Sequence, residues 1–174
     1  MPDVRESLDR TLRERVVLLD GATGTMLQGY GLQEADFRGE ILADHPQPLA
    51  GNNDILALTR PDVVAAVHDA YLAAGADIVE TNTFTATAIA QEDYGTQHLV
   101  REIDRQAARL ARRACDAWTA RTPERPRFVA GAVGPTNKTL SLSPSVDDPS
   151  YRATDFDEMR DAYAEQVRGL VEGG

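Results

Sequence analysis

Apolar positions along the chain fall into two patterns, short continuous runs and longer stretches at helical spacing. Val4, Leu8 and Leu12 recur at helical spacing and predict a short N-terminal amphipathic helix. Val16, Val17, Leu18 and Leu19 form a compact run that stops at Asp20-Gly21, which predicts a fully buried strand. The pattern then turns irregular up to Asn53, with Gly29, Gly31, Gly39, Pro46, Pro48 and Gly51. A loop of about thirty residues is unusual in a compact domain and is often functional. Short helical turns are expected near it, at Ala22–Gln28 and around Ile55–Leu58.

Periodicity returns with Val63, Val64, Val67, Ala70, Tyr71 and Ala74, a helix that Thr59 can cap, with Pro61 in its first turn and Gly75 at its end. Asp77–Thr81 follows as a second short strand, then a helical turn near Ala86–Gln91. Leu99, Ile103, Ala107, Leu110, Ala114 and Trp118 mark one face of a long helix over Gln97–Ala120, which Pro123 and Pro126 terminate. Arg127–Val133 is the third strand, and a Ser/Pro/Asp-rich loop runs from it to about Ala153. Thr154 and Asp157 resemble a capping box ahead of a last helix lined by Phe156, Met159, Tyr163, Val167 and Leu170.

Strands alternating with amphipathic helices predict right-handed βαβ units, here three parallel strands adjacent in the order 1-2-3 after an N-terminal helix. No linker divides residues 1–174, so one α/β domain is expected. Gly173-Gly174 after a helix looks like the junction Gly75-Ala76-Asp77 that opens the second strand. The chain therefore reads as the N-terminal part of a longer α/β protein, cut before a fourth strand. The alternative is a three-stranded domain with a natural helical end.

Composition narrows the function. With 42% hydrophobic and 26% charged residues the chain is globular rather than disordered. A formal net charge of -10 argues against a general nucleic-acid binder. No run reaches the roughly 18 apolar residues of a membrane span, and the charged N-terminus MPDVRESLDR is no secretory signal. The lone Cys115 excludes a disulfide framework within these residues, and a cytoplasmic location is expected. It lies beside the apolar face of the long helix, where an inert buried thiol is expected. His45, His68 and His98 form no ligand set.

Three polar segments leave the carboxyl ends of the predicted strands: Asp20–Thr25, Glu80–Phe84 and Gly134–Thr139. In parallel α/β folds that edge is where sites are built, so all three are expected on one face, with Asp20, Glu80 and Thr136 reaching a common cleft. Gly21 and Gly24 let the backbone approach a ligand closely, and N–H groups of the following helix can hold an anion. Asp20 can accept from an ammonium group, so the segment suits an amino acid. It equally suits a tight turn in which Asp20 is a helix cap. Glu80 can bind an ammonium group or act as a base, or else sit in an ion pair. Asn52-Asn53-Asp54 can line or gate the site, although three small polar residues are more often a turn or a cap. The segment lacks GxGxxG and a Walker lysine, which weakens a nucleotide reading.

At these segments the sequence resembles the homocysteine-binding (homocysteine S-methyltransferase) module of cobalamin-dependent methionine synthase. The strings are DGATGTMLQ at 20–28, GNNDILALTRPDVV at 51–64, AGADIVETNTFTAT at 74–87 and GAVGPTNKTLSLSP at 131–144. The resemblance implies a (β/α)₈ TIM barrel of which this chain holds the first three βα units. It implies a methyltransferase in which zinc holds the homocysteine sulfur and methylcobalamin supplies the methyl group, with folate and cobalamin carried on separate modules of the same polypeptide. By resemblance Asp20, Gly21, Thr23, Gly24 and Thr25 belong to the homocysteine-contacting loop, and Glu80, Thr81 and Asn82 to the second strand end. The family's zinc-ligating cysteines lie on later strands, and Cys115 matches none of them. The leading expectation is thus a methyltransferase piece that is inactive alone and binds neither metal nor cofactor. The alternatives are an amino-acid or anion-binding domain without catalysis, a homocysteine methyltransferase using another methyl donor, and an interaction piece whose sheet edge pairs with another chain.

Overall fold

A computed structural model describes residues 4–174. The fold is α/β, mostly helical, around a short parallel sheet. Helices α1 (Val4–Glu14), α2 (Thr23–Gln28), α3 (Glu34–Arg38), α4 (Leu56–Thr59) and α5 (Pro61–Ala74) lead to strand β1 (Ile78–Glu80). Helices α6 (Ala88–Gln91) and α7 (Val100–Arg121) precede strand β2 (Phe128–Ala130), and α8 (Phe156–Gly173) closes the described chain. Strands β1 and β2 pair in parallel, with Ile78 opposite Phe128 and Glu80 opposite Ala130. Among the described residues no helix is long and apolar enough to cross a membrane.

The first predicted strand needs correction. Val16–Leu19 is extended and runs parallel beside β1, so the neighbour order is the expected one, but it joins the sheet through a single bridge, Leu19 to Ile78. The main chain bonds there through Ile78 N–H to Leu18 O (3.1 Å) and Asp20 N–H to Ile78 O (2.9 Å). It is not buried: Val16, Leu18 and Leu19 are 80%, 51% and 53% exposed. The segment has a sheet neighbour on one side only, and no described element covers its outward face. The same holds for α1, whose Val4 and Leu12 face solvent while Thr11 is its buried residue.

The supposed loop from Gly21 to Asn53 is better ordered than its composition predicts. It contains α2 and α3, the latter started by a Gln33–Asp36 capping box. Leu27, Phe37 and Leu49 from this stretch are buried with Ile55, Leu56, Val63, Val64 and Val67 against Ile103, Ala107 and Leu110 of α7. A second cluster, of Leu72, Val79, Ala111 and Cys115, lies between β1, α5 and α7. Two caps shift. Arg60 precedes Pro61 with no side-chain cap, while the Thr59 hydroxyl bonds Ile55 O (3.4 Å) inside α4. The last helix is boxed by Asp155 and Glu158, one residue beyond the predicted pair. Gly75 ends α5 at φ 108°, a left-handed conformation that glycine adopts without strain.

Candidate functional site

The carboxyl ends of the Val16–Leu19 segment and β1 open onto a cleft of about 610 Å³. Asp20, Gly21, Thr23, Gly24, Glu80, Thr81 and Asn82 all line it, with Asn53, Asp54, Thr83, Phe84, Thr85, Tyr94 and Ala132. Thr25, the remaining residue expected there, does not. It lies on the exposed side of α2.

The third polar segment stays out of the cleft, and this corrects the expectation for Thr136. Its hydroxyl donates to Lys138 O (2.8 Å), Asn137 Nδ2 donates to Asp93 (2.7 Å), and Lys138 pairs with Glu92 (2.5 Å). The chain turns aside at Gly134, where an added Cβ would stand 2.2 Å from Phe84 O and 2.9 Å from the Phe84 ring. Tyr163 of α8 donates its O–H to Gly134 O (2.9 Å) and holds that turn. Acidic partners on the turn after α6 therefore draw residues 137–138 away from the strand ends.

The floor of the cleft is an ordered hydroxyl chain. Thr83 O–H donates to Ala132 O (2.8 Å), and Ala132 N–H donates to Thr81 Oγ1 (2.9 Å). Thr81 is thereby left to donate to Thr83 Oγ1 (2.6 Å). Asn82 Nδ2 donates to Asn53 O (2.7 Å), tying the second strand end to the Asn52–Asp54 turn. That turn is both cap and lining. Asn52 caps the 3₁₀ turn Asn53–Ile55, and its side chain bonds Gln91 (2.7 Å). Asp54 accepts from the Thr85 hydroxyl and from Gln91 Nε2 (3.3 Å). The signal for Asp54, Phe84 and Thr85 was present in GNND and ETNTFT, but spacing alone could not separate lining from capping.

Both oxygens of Asp20 accept from Glu80 N–H (3.1 Å each). Asp20 is thus not a cap of α2, whose start has no side-chain hydrogen bond. Burial pushes the Asp20 carboxyl up to about 6, with the Glu80 N–H working against the rise and the Glu80 charge adding to it. Burial raises Asp54 to about 6 as well, opposed by the Thr85 hydroxyl and N–H. The space beside Gly21 is filled from within, since a Cβ there would meet Tyr71 Oη at 3.3 Å. Three carboxylates, Asp20, Asp54 and Glu80, thus share a cleft lined by no Lys, Arg or His. Such a wall favours a cation, and the first turn of α2 adds backbone N–H groups without intrahelical acceptors.

The residues do not fit a metal centre. No three His, Cys, Asp or Glu side chains converge at ligand spacing among the described residues. Cys115 is buried, donates its S–H to Phe128 O (3.3 Å), and burial pushes its thiol up to about 11. His45 bonds Tyr94 O (2.7 Å), His68 is buried in α5, and His98 is exposed.

Fold and site together define an α/β domain with an acidic cleft at its strand ends. The chain belongs to the homocysteine S-methyltransferase family, whose model matches residues 17–174. It is similar in structure to the homocysteine methyltransferase MmuM from Escherichia coli. The oxidised form of that enzyme superimposes with a TM-score of 0.66 at 25% identity, over 94% of this chain and 52% of the enzyme's. The metallated form gives 0.66 at 24%, over 96% and 54%. The chain therefore spans about half the length of these structures.

Proposed function

We propose that this chain forms the ammonium-binding part of a homocysteine S-methyltransferase site, within a longer (β/α)₈ barrel of the cobalamin-dependent methionine synthase type. The observation that carries the reading is the convergence of Asp20, Asp54 and Glu80 on one strand-end cleft without a basic lining residue. The family match supports homocysteine as the substrate, and the strings at 51–64 and 131–144 support the methionine synthase type. In this reading Asp20 and Glu80 accept from the substrate ammonium, and the N–H groups of residues 21–24 face its carboxylate. Sulfur forms a bond to the methyl carbon, the donor–methyl bond breaks with its electron pair left on the donor, and the thiol proton is lost. This chain binds and orients. Zinc, methylcobalamin and folate belong to polypeptide beyond these residues, and the 174-residue chain alone is inactive.

The test is isothermal titration of L-homocysteine against wild-type and Asp20→Ala protein, in this chain and in the longest reading frame that contains it. Loss of a charge-assisted contact is expected to weaken binding by about 1.5–3 kcal/mol, roughly 10- to 150-fold in Kd. Circular dichroism checks that the variant is folded. Equal affinities would reduce Asp20 to a residue that only ties the first segment to β1 through Glu80 N–H.

A further inference from the structure

One layer behind the cleft wall lies a buried amide that the proposed chemistry does not use. Gln91 ends α6, is fully buried and does not itself line the cleft. Its side chain bonds four residues from two separate stretches of chain. Oε1 accepts from Asn52 Nδ2 (2.7 Å) and from the Thr96 hydroxyl (2.7 Å). Nε2 donates to Asn52 Oδ1 (3.2 Å), Asp54 Oδ2 (3.3 Å) and Thr85 O (3.3 Å). Asn52, Asp54 and Thr96 are buried with it.

The neighbours allow one orientation of each amide. Thr85 O and the Asp54 carboxylate can only accept, so the end of Gln91 that faces them is Nε2. Ile55 N–H can only donate, so the end of Asn52 beside it (3.4 Å) is Oδ1. That turns Asn52 Nδ2 toward Gln91 Oε1, and the two amides pair reciprocally. Each side-chain nitrogen and oxygen of Asn52, Gln91 and Thr96 thus has a partner, and a buried network satisfied in this way is rigid.

Asp54 is the member that depends on it. The carboxylate is buried in the cleft wall, and no ion pair among the described residues includes it. Its side-chain donors are neutral: the Thr85 hydroxyl, Thr85 N–H (3.4 Å) and Gln91 Nε2. Thr85 belongs to the wall, and Gln91 is the donor from behind it.

We propose that Gln91 is a positioning residue of the cleft, holding Asn52 and Asp54 so that the Asp54 carboxylate stands in the wall with Asp20 and Glu80. Its effect on homocysteine rests on the ammonium reading above. Its effect on Asp54 does not. The titratable groups around Asp54 are Asp20 and Glu80 in the cleft, Tyr94 in its wall and Asp104 of α7, and none of them supplies a positive charge. Removing one neutral donor from the ionised carboxylate therefore moves its titration to higher pH.

Carboxyl ¹³C NMR of the 174-residue protein labelled at Asp Cγ tests the proposal, with Asp54→Asn to assign the resonance. Gln91→Met keeps the length of the side chain without its donor or acceptor. Thr96→Val removes only the hydroxyl that orients Gln91. Asp54 should titrate near 6 in wild type, at clearly higher pH in Gln91→Met, and in between in Thr96→Val. Asp20, which no bond from Gln91 reaches, should keep its midpoint. L-Homocysteine, titrated into this chain and into the longest reading frame that contains it, should bind about 2- to 10-fold more weakly to Gln91→Met. An Asp54 midpoint that stays at its wild-type value in both variants would overturn the proposal. So would an equal shift of Asp20, which marks general loosening. If Gln91→Met fails to fold, the Thr96→Val titration decides. Unchanged homocysteine affinity in a variant whose Asp54 has shifted would overturn the claim that Gln91 serves the cleft. A wild-type protein that binds no homocysteine would instead count against the ammonium reading, and the Asp54 titration would still decide for or against Gln91.

Discussion

Asp77 is fully buried, yet it carries the densest set of charged contacts among the described residues at the sheet. Arg15 grips it with two bonds (2.7 and 2.9 Å), Arg125 Nε adds one (2.8 Å), and Leu18 N–H another (3.0 Å). Burial alone would raise its pKa. The two guanidinium groups and the Leu18 N–H overrule that and hold the carboxyl below the usual range. The cluster ties the Val16–Leu19 segment, the start of β1 and the approach to β2 together. Asp77→Ala is expected to destabilise the chain by about 2–4 kcal/mol, measured by urea unfolding, because two arginines lose their shared partner. Its pH dependence has the sign of a lowered acid, with stability present above about pH 4 and lost as pH falls. Asp20 has the opposite sign. Its stabilising contribution is present below about pH 4 and lost as pH rises through about 6. Asp20→Asn, whose side-chain oxygen still accepts from Glu80 N–H, should therefore melt higher relative to wild type at pH 7 than at pH 4. A melting difference independent of pH would show that Asp20 titrates as an ordinary carboxyl. Asp20 and Glu80 were legible in the sequence as strand-end carboxylates. Asp77 was not, because its partners stand 62 and 48 residues away.

At the scale of elements, α7 and α8 meet through glycine. A Cβ at Gly173 would lie 2.5 Å from Ala108 Cβ and from Arg105 O, and Gly169 is nearly as tight. Gly169→Ala should force the helices apart and lower stability by about 1–3 kcal/mol, read from the midpoint of denaturant unfolding. An unchanged midpoint would mean that α8 shifts without loss, and that the contact is looser than the backbone distances show. Both helices were legible from the period of Ile103, Ala107 and Leu110 and of Tyr163, Val167 and Leu170, because a long amphipathic stripe outweighs local noise. Their docking was not, since Gly169 and Gly173 leave no hydrophobic signal. Caps were legible only to within a residue. Thr154, Asp155, Asp157 and Glu158 offer overlapping boxes, and the Asp155–Glu158 pair forms, with Glu158 N–H donating to Asp155 at 2.8 Å.

Seen whole, the molecule leaves apolar surface at both ends of its sheet. Val16, Leu18 and Leu19 are exposed at one edge, and Val133, Val167 and Val171 beside β2 at the other, Val171 at 75%. Within the described residues β2 has a sheet partner on one side only. Isolated in solution, the 174-residue chain should self-associate with rising concentration in sedimentation velocity, more so at high salt, where its net charge of -10 is screened. Joint Val167→Lys and Val171→Lys substitution should reduce that association. A wild-type chain that stays monomeric at every concentration and salt would show that this face is not sticky enough to matter.

The strand–helix alternation, the parallel direction and the placing of Asp20, Glu80, Thr81 and Asn82 at strand carboxyl ends were determined by sequence alone. Each follows from local periodicity, or from the rule that strands joined by helices run parallel. Tertiary structure decided what depends on contacts between distant residues. It diverted Thr136 because Asp93 and Glu92 capture its neighbours, and it made Asn53 and Asp54 part of the wall by bonding them to Asn82 and Thr85. It left Val16–Leu19 exposed for want of a covering layer among the described residues, although a compact apolar run reads as core. Burial is a property of the neighbours a segment finds, and those neighbours are not written in the segment itself.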